Sequence, residues 1–351
     1  MRAKALSLLQ SGTVIPATPL ALTAEKKLDE KHQRLLMRYY LASGAGGIAS
    51  GVHSTQFEIH DPKVGLLAPV LTIVAEEVAA FEATSGNTII KIAGACGPTH
   101  QAVKEAELAK NLGYDAVLLS PGGLPELDIN GHLARAKAVA EVMPVVGFSL
   151  QRAVGGPAFM YKYWEALCEI PNLVAIKTAP FDRYETLDIL RAVAWSGRDI
   201  AMYTGNDDNI VADLLTDFSF PKEGRDYRIK FAGGLLGHYS VWTKTHVEML
   251  SQLRSARDSG MISAELLTLA AKVTDMNAAV FDPANGFRGC ISGMHEVLRR
   301  QGLMAGIWCL SDHEKLSPGQ AAELDRVCAM YPELTDDGFV DEYLDAWLSG
   351  L

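Results

Sequence analysis

Pro171-Asn172-Leu173-Val174-Ala175-Ile176-Lys177-Thr178-Ala179 is an apolar run with a single ammonium near its end. The aliphatic and β-branched residues around Lys177 read as a fully buried strand. A lysine is almost never buried unless it is paired or put to use. Strand alternation sets Ala175 and Lys177 on one face and Val174, Ile176 and Thr178 on the other. Helices cover the bulkier face, so the lysine is expected to point to the interior. Desolvation disfavours the charged form, which leaves the free amine that attacks a carbonyl to form a Schiff base. The plain alternative is a lysine at a frayed strand end that snorkels to water.

Outward from this run, short β-rich segments alternate with longer helical patterns, the signature of repeated βα units. Eight such segments are expected as strands, at residues 13–18, 47–50, 88–93, 116–120, 145–150, 174–178, 200–204 and 229–232. Between them, stretches such as 101–112 place Ala102, Val103, Ala106, Ala109 and Leu112 at helical spacing, with Gly113 as the stop. Asp61-Pro62 reads as a cap followed by proline at a first turn, and 239–254 as the helix after the last strand. Eight strands each followed by a helix suit an α/β fold, a (β/α)8 TIM barrel occupying residues 1–255. The alternative, a doubly wound open sheet, usually carries a Gly-rich turn after its first strand, and residues 13–20 have none. Residues 256–351 read as a C-terminal helical region, with helices at 264–279, 291–301 and 317–331, and 218–228 reads as an extended loop.

Composition narrows the partners. The chain has 351 residues, 48% of them hydrophobic, and a formal net charge of −10. Such a field attracts neither nucleic acid nor an anionic membrane surface, so a small-molecule substrate is expected. The five scattered cysteines show no CxxC spacing and read as thiols in a reducing cytoplasm. The N-terminus lacks a secretory signal pattern, and no apolar run is long enough to span a bilayer.

The Lys177 segment resembles the N-[IL]-V-G-I-K-[ED]-[AS] motif of the class I aldolases grouped with dihydrodipicolinate synthase and N-acetylneuraminate lyase. In that family the lysine forms the Schiff base with pyruvate or another 2-oxo acid. Gly113-Tyr114-Asp115-Ala116-Val117-Leu118 is similar to the family's GADAVL strand, and residues 291–310, with Gly302-Leu303, to its C-terminal helix. The resemblance runs from about Gly12 to about Pro332 and implies the barrel, a catalytic Lys177, no metal or organic cofactor, and a homo-oligomer, dimer or tetramer.

Departures from the family pattern fall on the chemistry. Where the family has G-T-T-G-E, this chain reads Gly51-Val52-His53-Ser54-Thr55-Gln56. Ser54 and Thr55 are expected to hold the substrate carboxylate, with His53 as a donor or proton carrier; a loop histidine with no duty is the alternative. The family's general acid/base tyrosine is replaced by Phe148, here expected against the substrate, and no tyrosine follows the fourth strand. Replacement proton carriers are His53, Tyr203 or a water held by Ser149. Arg152 is expected to clamp a distal carboxylate or to make a surface salt bridge. Thr204-Gly205-Asn206-Asp207-Asp208 resembles the segment by which sugar-acid lyases hold hydroxyls, so Gly205, Asp207 and Asp208 are assigned to the distal end of the substrate, although Asp207 also suits a helix N-cap. Gly234 is expected to allow backbone approach to the substrate. The sequence thus points to a lyase, aldolase or dehydratase working through Lys177. A binding or regulatory protein that keeps the barrel without turnover is the alternative. A metal-dependent barrel hydrolase is disfavoured, because neither HExxH nor a Cys/His cluster is present.

Overall fold

The segment around Lys177 is a parallel strand in a computed structural model that describes residues Met1–Leu351. The chain opens with α1 (Ala3–Ser11), β1 (Val14–Pro16), α2 (Glu30–Ala42), β2 (Gly47–Ser50), α3 (Leu67–Ser85) and β3 (Ile90–Ala95). It continues through α4 (Thr99–Asn111), β4 (Ala116–Leu119), α5 (Ile129–Val142), β5 (Val145–Ser149), α6 (Tyr161–Cys168), β6 (Leu173–Thr178), α7 (Arg183–Ser196) and β7 (Ala201–Thr204). Then follow α8 (Ile210–Leu215), β8 (Asp217–Lys222), β9 (Arg225–Leu236), α9 (Thr243–Ser259), α10 (Ala264–Phe281), α11 (Cys290–Arg300), α12 (Gln320–Met330) and α13 (Asp337–Leu348).

Eight of the strands run parallel in the order β1-β9-β7-β6-β5-β4-β3-β2. The ring closes through a parallel bridge between Ala17 and Ala49, where the Thr18 N–H donates to the Ala49 carbonyl at 2.8 Å. Closure excludes the open doubly wound sheet, and the fold is the expected (β/α)8 barrel with C-terminal helices. Alternation sorts the side chains into two cores. Ile15, Ile92, Leu118, Val146, Ala175 and Leu235 fill the barrel, while Ile48, Val117, Ile176 and Met202 pack outward under the helices. In β6 the register slips between Leu173 and Ala175, which pair with Val145 and Val146 in turn. Val174 is therefore a bulged residue that joins the inner face, not the outer one expected from strict alternation.

The N-terminal segment is a plug. Ala5 and Leu9 of α1 belong to the inner core, and the Tyr203 hydroxyl donates to the Leu9 carbonyl at 3.0 Å. Arg2 fastens the helix by donating to Asp115 and Glu82.

Three expectations need correction. Residues 218–228 form a β-hairpin, not a loop: β8 pairs antiparallel with the start of β9 around Glu223 and Gly224, both at positive φ. One face of this ribbon packs on the barrel wall through Phe218, Phe220 and Ile229, with the Trp195 indole N–H donating to the Phe220 carbonyl, while the charged residues between them face solvent. That charge, with Pro221 and Gly224, masks the alternation in the sequence. The helix expected after Asp61 begins only at Leu67, because Asp61 closes a 3-10 turn and accepts from the Lys63 N–H. The helix expected at 239–254 begins at Thr243, after a 3-10 turn and a left-handed Trp242. α13 was not anticipated; it packs on α2, where Tyr39 and Trp347 rings lie 5.9 Å apart. No helix is long and apolar enough to cross a membrane.

Candidate active site

Lys177 lies at the penultimate position of β6 with 7% of its surface exposed, on the inner face with Ala175. Its amine opens into a small cleft at the C-terminal ends of the strands, where barrel active sites are built. The Nζ stands 4.6 Å from the centre of the Phe148 ring, the neighbour supplied by β5. Burial lowers its pKa to about 8, against a smaller upward pull from Asp207. Gly205 makes the room: a Cβ there would sit 2.8 Å from the Lys177 Cε.

Asp207 follows β7 and lines the same cleft, 5% exposed. Its Oδ1 accepts from the His238 N–H at 3.0 Å, while Oδ2 has no protein donor. Burial raises its pKa to about 7, despite the His238 amide and Lys177. Asp207 is not a helix cap; Asn209 holds that position for α8. Asn206 is a buried brace, bonded to Asp213, Thr186 and the Phe181 N–H.

The 3-10 turn after β2 brings His53 and Ser54 to the lining of the same cleft. His53 is pushed down to about 4 by burial and by Lys177, so its imidazole is neutral near pH 7. The Ser54 hydroxyl donates to the Ala17 carbonyl at 2.6 Å. The N–H groups of His53 and Ser54, at the start of this 3-10 turn, donate to no acceptor in the protein.

Four residues assigned to the substrate from sequence stand elsewhere. Thr55 turns its hydroxyl away, to the Thr18 carbonyl at 2.7 Å. Arg152 is mostly exposed and pairs with Glu185, the surface salt bridge. Asp208 faces outward, with its carbonyl taken by Thr274. Gly234 lies within β9, paired with Val14 and Thr204, and a Cβ there would meet the Tyr239 ring at 2.6 Å. Two of the proposed proton carriers are also displaced. The Tyr203 hydroxyl is bound at the plugged end of the barrel, with its pKa raised by burial, and Ser149 falls on the outward register next to inward Phe148 and does not line the cleft.

The cleft contains residues that the sequence did not single out. Phe281 at the end of α10, Cys290 and Met294 on α11 and Phe287 in the turn between those helices line it, as do Gln151 and Gly237. Phe181 and Phe287 adopt left-handed backbones, φ 53° and 65°, and stack edge-to-face at 5.8 Å across the mouth. Bulky residues there cost about 1–3 kcal/mol each and persist only where surroundings hold them. Their contact joins segments far apart in the chain, so no local pattern announces it.

A second cluster corrects the expectation that no metal-type grouping exists. Ligand atoms of His60, Cys96 and Glu105 converge within 4.8 Å of one another, outside the Lys177 cleft.

Residues 10–216 match the dihydrodipicolinate synthetase family. The chain belongs to that family. It is similar to the N-acetylneuraminate lyase of Citrobacter koseri, 27% identical over 206 residues, a match that takes in 58% of this chain and 65% of that lyase. Among solved structures, the chloride-inhibited dihydrodipicolinate synthase of Acinetobacter baumannii complexed with pyruvate superposes with a TM-score of 0.71 at 20% identity, covering 91% of this chain and 98% of that one. The N-acetylneuraminate lyase of Fusobacterium nucleatum complexed with pyruvate gives 0.70 at 16% identity, covering 92% and 98%. Both share the fold of this member of the dihydrodipicolinate synthetase family.

Proposed function

We propose that the protein is a Schiff-base-forming lyase, aldolase or dehydratase that acts on a 2-oxo acid through Lys177. One observation carries the reading: a buried amine with its pKa brought down to about 8 opens into the cleft at the catalytic end of the barrel. As the free base, Lys177 Nζ adds to the ketone carbon while the carbonyl oxygen takes up a proton. That oxygen leaves as water after a second protonation, and the protonated Schiff base accepts the electron pair of a neighbouring carbon–carbon bond as it breaks, or returns it as one forms.

Asp207 is the proton carrier in this scheme. Phe148, in the position of the family's tyrosine, has no proton to move, and general acid/base assistance is commonly worth about two to four orders of magnitude. Lys177 at about 8 and Asp207 at about 7 hold a single proton between them near neutrality. With that proton on the carboxyl, the pair is at once nucleophile and acid. The free amides of His53 and Ser54, with the neutral His53 ring, suit the substrate carboxylate. The remaining lining is largely apolar and aromatic, with Arg152 and Asp208 outside it. This favours pyruvate or a 2-oxo acid with a short uncharged tail over a sugar-derived polyol.

The test is turnover of purified protein against a panel of pyruvate-type and sugar-derived 2-oxo acids, followed by pyruvate release or loss of the ketone. Conversion of a short-tailed 2-oxo acid, abolished by Lys177→Ala, supports the proposal. A lysine that forms the adduct with no turnover of any compound would favour the binding-protein reading, for which the missing tyrosines speak. Five free cysteines suit the proposed cytoplasmic location, and a homo-oligomer is proposed from the family alone.

A further inference from the structure

His60, Cys96 and Glu105 come from three separate segments: the 3-10 turn after β2, the residue that follows β3, and α4. His60 is buried, its side chain 2% exposed, with Nε2 held 2.8 Å from the Gly51 carbonyl. A carbonyl only accepts, so Nε2 carries a ring proton, and in the neutral ring Nδ1 presents the lone pair. That Nδ1 lies 3.0 Å from Glu105 Oε2 and yet makes no aligned hydrogen bond with it or with any other atom. A ring nitrogen and a carboxylate oxygen so placed require a positive charge between them or beside them, a proton or a metal ion.

We propose that His60 Nδ1, Cys96 Sγ and Glu105 Oε2 bind a divalent cation of the zinc class, outside the Lys177 cleft and independent of its chemistry. Zinc takes imidazole, thiolate and carboxylate at about 2.0–2.3 Å, so its ligand atoms stand roughly 3–4 Å apart; the three atoms here lie within 4.8 Å of one another. The supporting bonds are those a metal site requires. The second ring nitrogen of a ligating histidine donates to a backbone carbonyl, as His60 does to Gly51. The carboxylate is fixed by the Cys96 N–H at 2.8 Å and by the Gln101 side-chain amide, also at 2.8 Å.

A thiol relay of the Cys-His-Glu kind does not fit. Such a relay needs the thiol on one ring nitrogen and the carboxylate on the other, and Nε2 is already committed to Gly51. Cys96 is partly exposed, and His60 and Glu105 also line an outer groove with His100 and Lys104. The fourth position of a tetrahedral ion would therefore face that groove and hold water. Binding replaces the Cys96 thiol proton with the metal and releases that proton, so affinity falls as pH falls.

The experiment is titration of chelator-treated full-length protein with Co²⁺ and then Zn²⁺, followed by absorption spectroscopy. The expected result is uptake of one Co²⁺ per chain, a thiolate-to-cobalt charge-transfer band, and loss of that band when Zn²⁺ displaces the cobalt. Cys96→Ala abolishes the band, and Glu105→Gln, which keeps an acceptor for the Cys96 N–H, weakens binding at least tenfold; circular dichroism checks that both variants are folded. A proton on Nδ1, giving a His60–Glu105 ion pair, is the rival occupant. No uptake by the unsubstituted protein, or a cobalt spectrum unchanged in both variants, overturns the proposal.

Discussion

Lys177 and Asp207 titrate as one unit, and the pH profile is where their partnership is visible. Below pH about 7 both carry a proton and no free amine exists; above about 8 both have lost theirs and no acid remains. The dependence of kcat/KM on pH is therefore expected to be a narrow bell with limbs near 7 and 8, values that belong to the pair. Asp207→Asn removes the alkaline limb. The single limb that remains is the acid one, set by a lysine whose pKa lies below 8 because the carboxylate that raises it is gone. The rate falls by about two orders of magnitude or more. An Asn variant that keeps both limbs would remove Asp207 from proton transfer. Residue by residue, the site was legible in proportion to how local its signals are. Lys177 stands out within its own strand, and Gly205 and Asp207 follow the end of the next strand. Arg152 was misplaced because Glu185, its partner, lies on α7 and no motif joins them.

At the level of elements, the barrel strands and their helices are readable because each writes its burial into its own sequence with a period of two or 3.6. The α1 plug is not, because its apolar residues acquire meaning only against the far end of the barrel. Leu9 is fully buried there, in the same inner core as Ile15 and Leu235. Leu9→Ala is expected to cost about 3 kcal/mol, within the usual range for a buried leucine. It should lower the thermal midpoint while leaving Schiff-base formation intact, since Lys177 is at the opposite end of the barrel. Adduct formation lost at unchanged stability would show that the plug acts on the site directly. Three of the four C-terminal helices are legible in the sequence to within a few residues at each end, α13 is not, and the part these helices play in the cleft is not either. Phe287, Cys290 and Met294 reach the lysine only through tertiary packing.

Across the whole molecule, buried histidines set the response to acid. His238 and His295 are held neutral by burial, with pKa values of about 3 and about 4, and His246 is lowered too. An unfolded chain protonates the same rings near 6.5. Because the unfolded state binds more protons below that pH, stability from these groups is present above about 6.5 and is lost as pH falls from there toward 4. Each ring contributes a slope of about 1.4 kcal/mol per pH unit. His53, lowered to about 4, acts in the same sense, whereas Asp207 and Glu314, raised to about 7 by burial, bind protons in the folded chain over the same range and oppose it. Four lowered rings against two raised carboxyls leave a net fall in the calorimetric midpoint between pH 7 and 4.5, and a midpoint that rises over that range would contradict this balance. The account as a whole rests on the inward amine of β6. Borohydride reduction in the presence of pyruvate, with peptide mapping by mass spectrometry, tests it most directly. The expected result is one irreversible adduct at Lys177, absent in Lys177→Ala and absent without pyruvate. A folded protein that acquires no adduct, or acquires it on another lysine, contradicts the account.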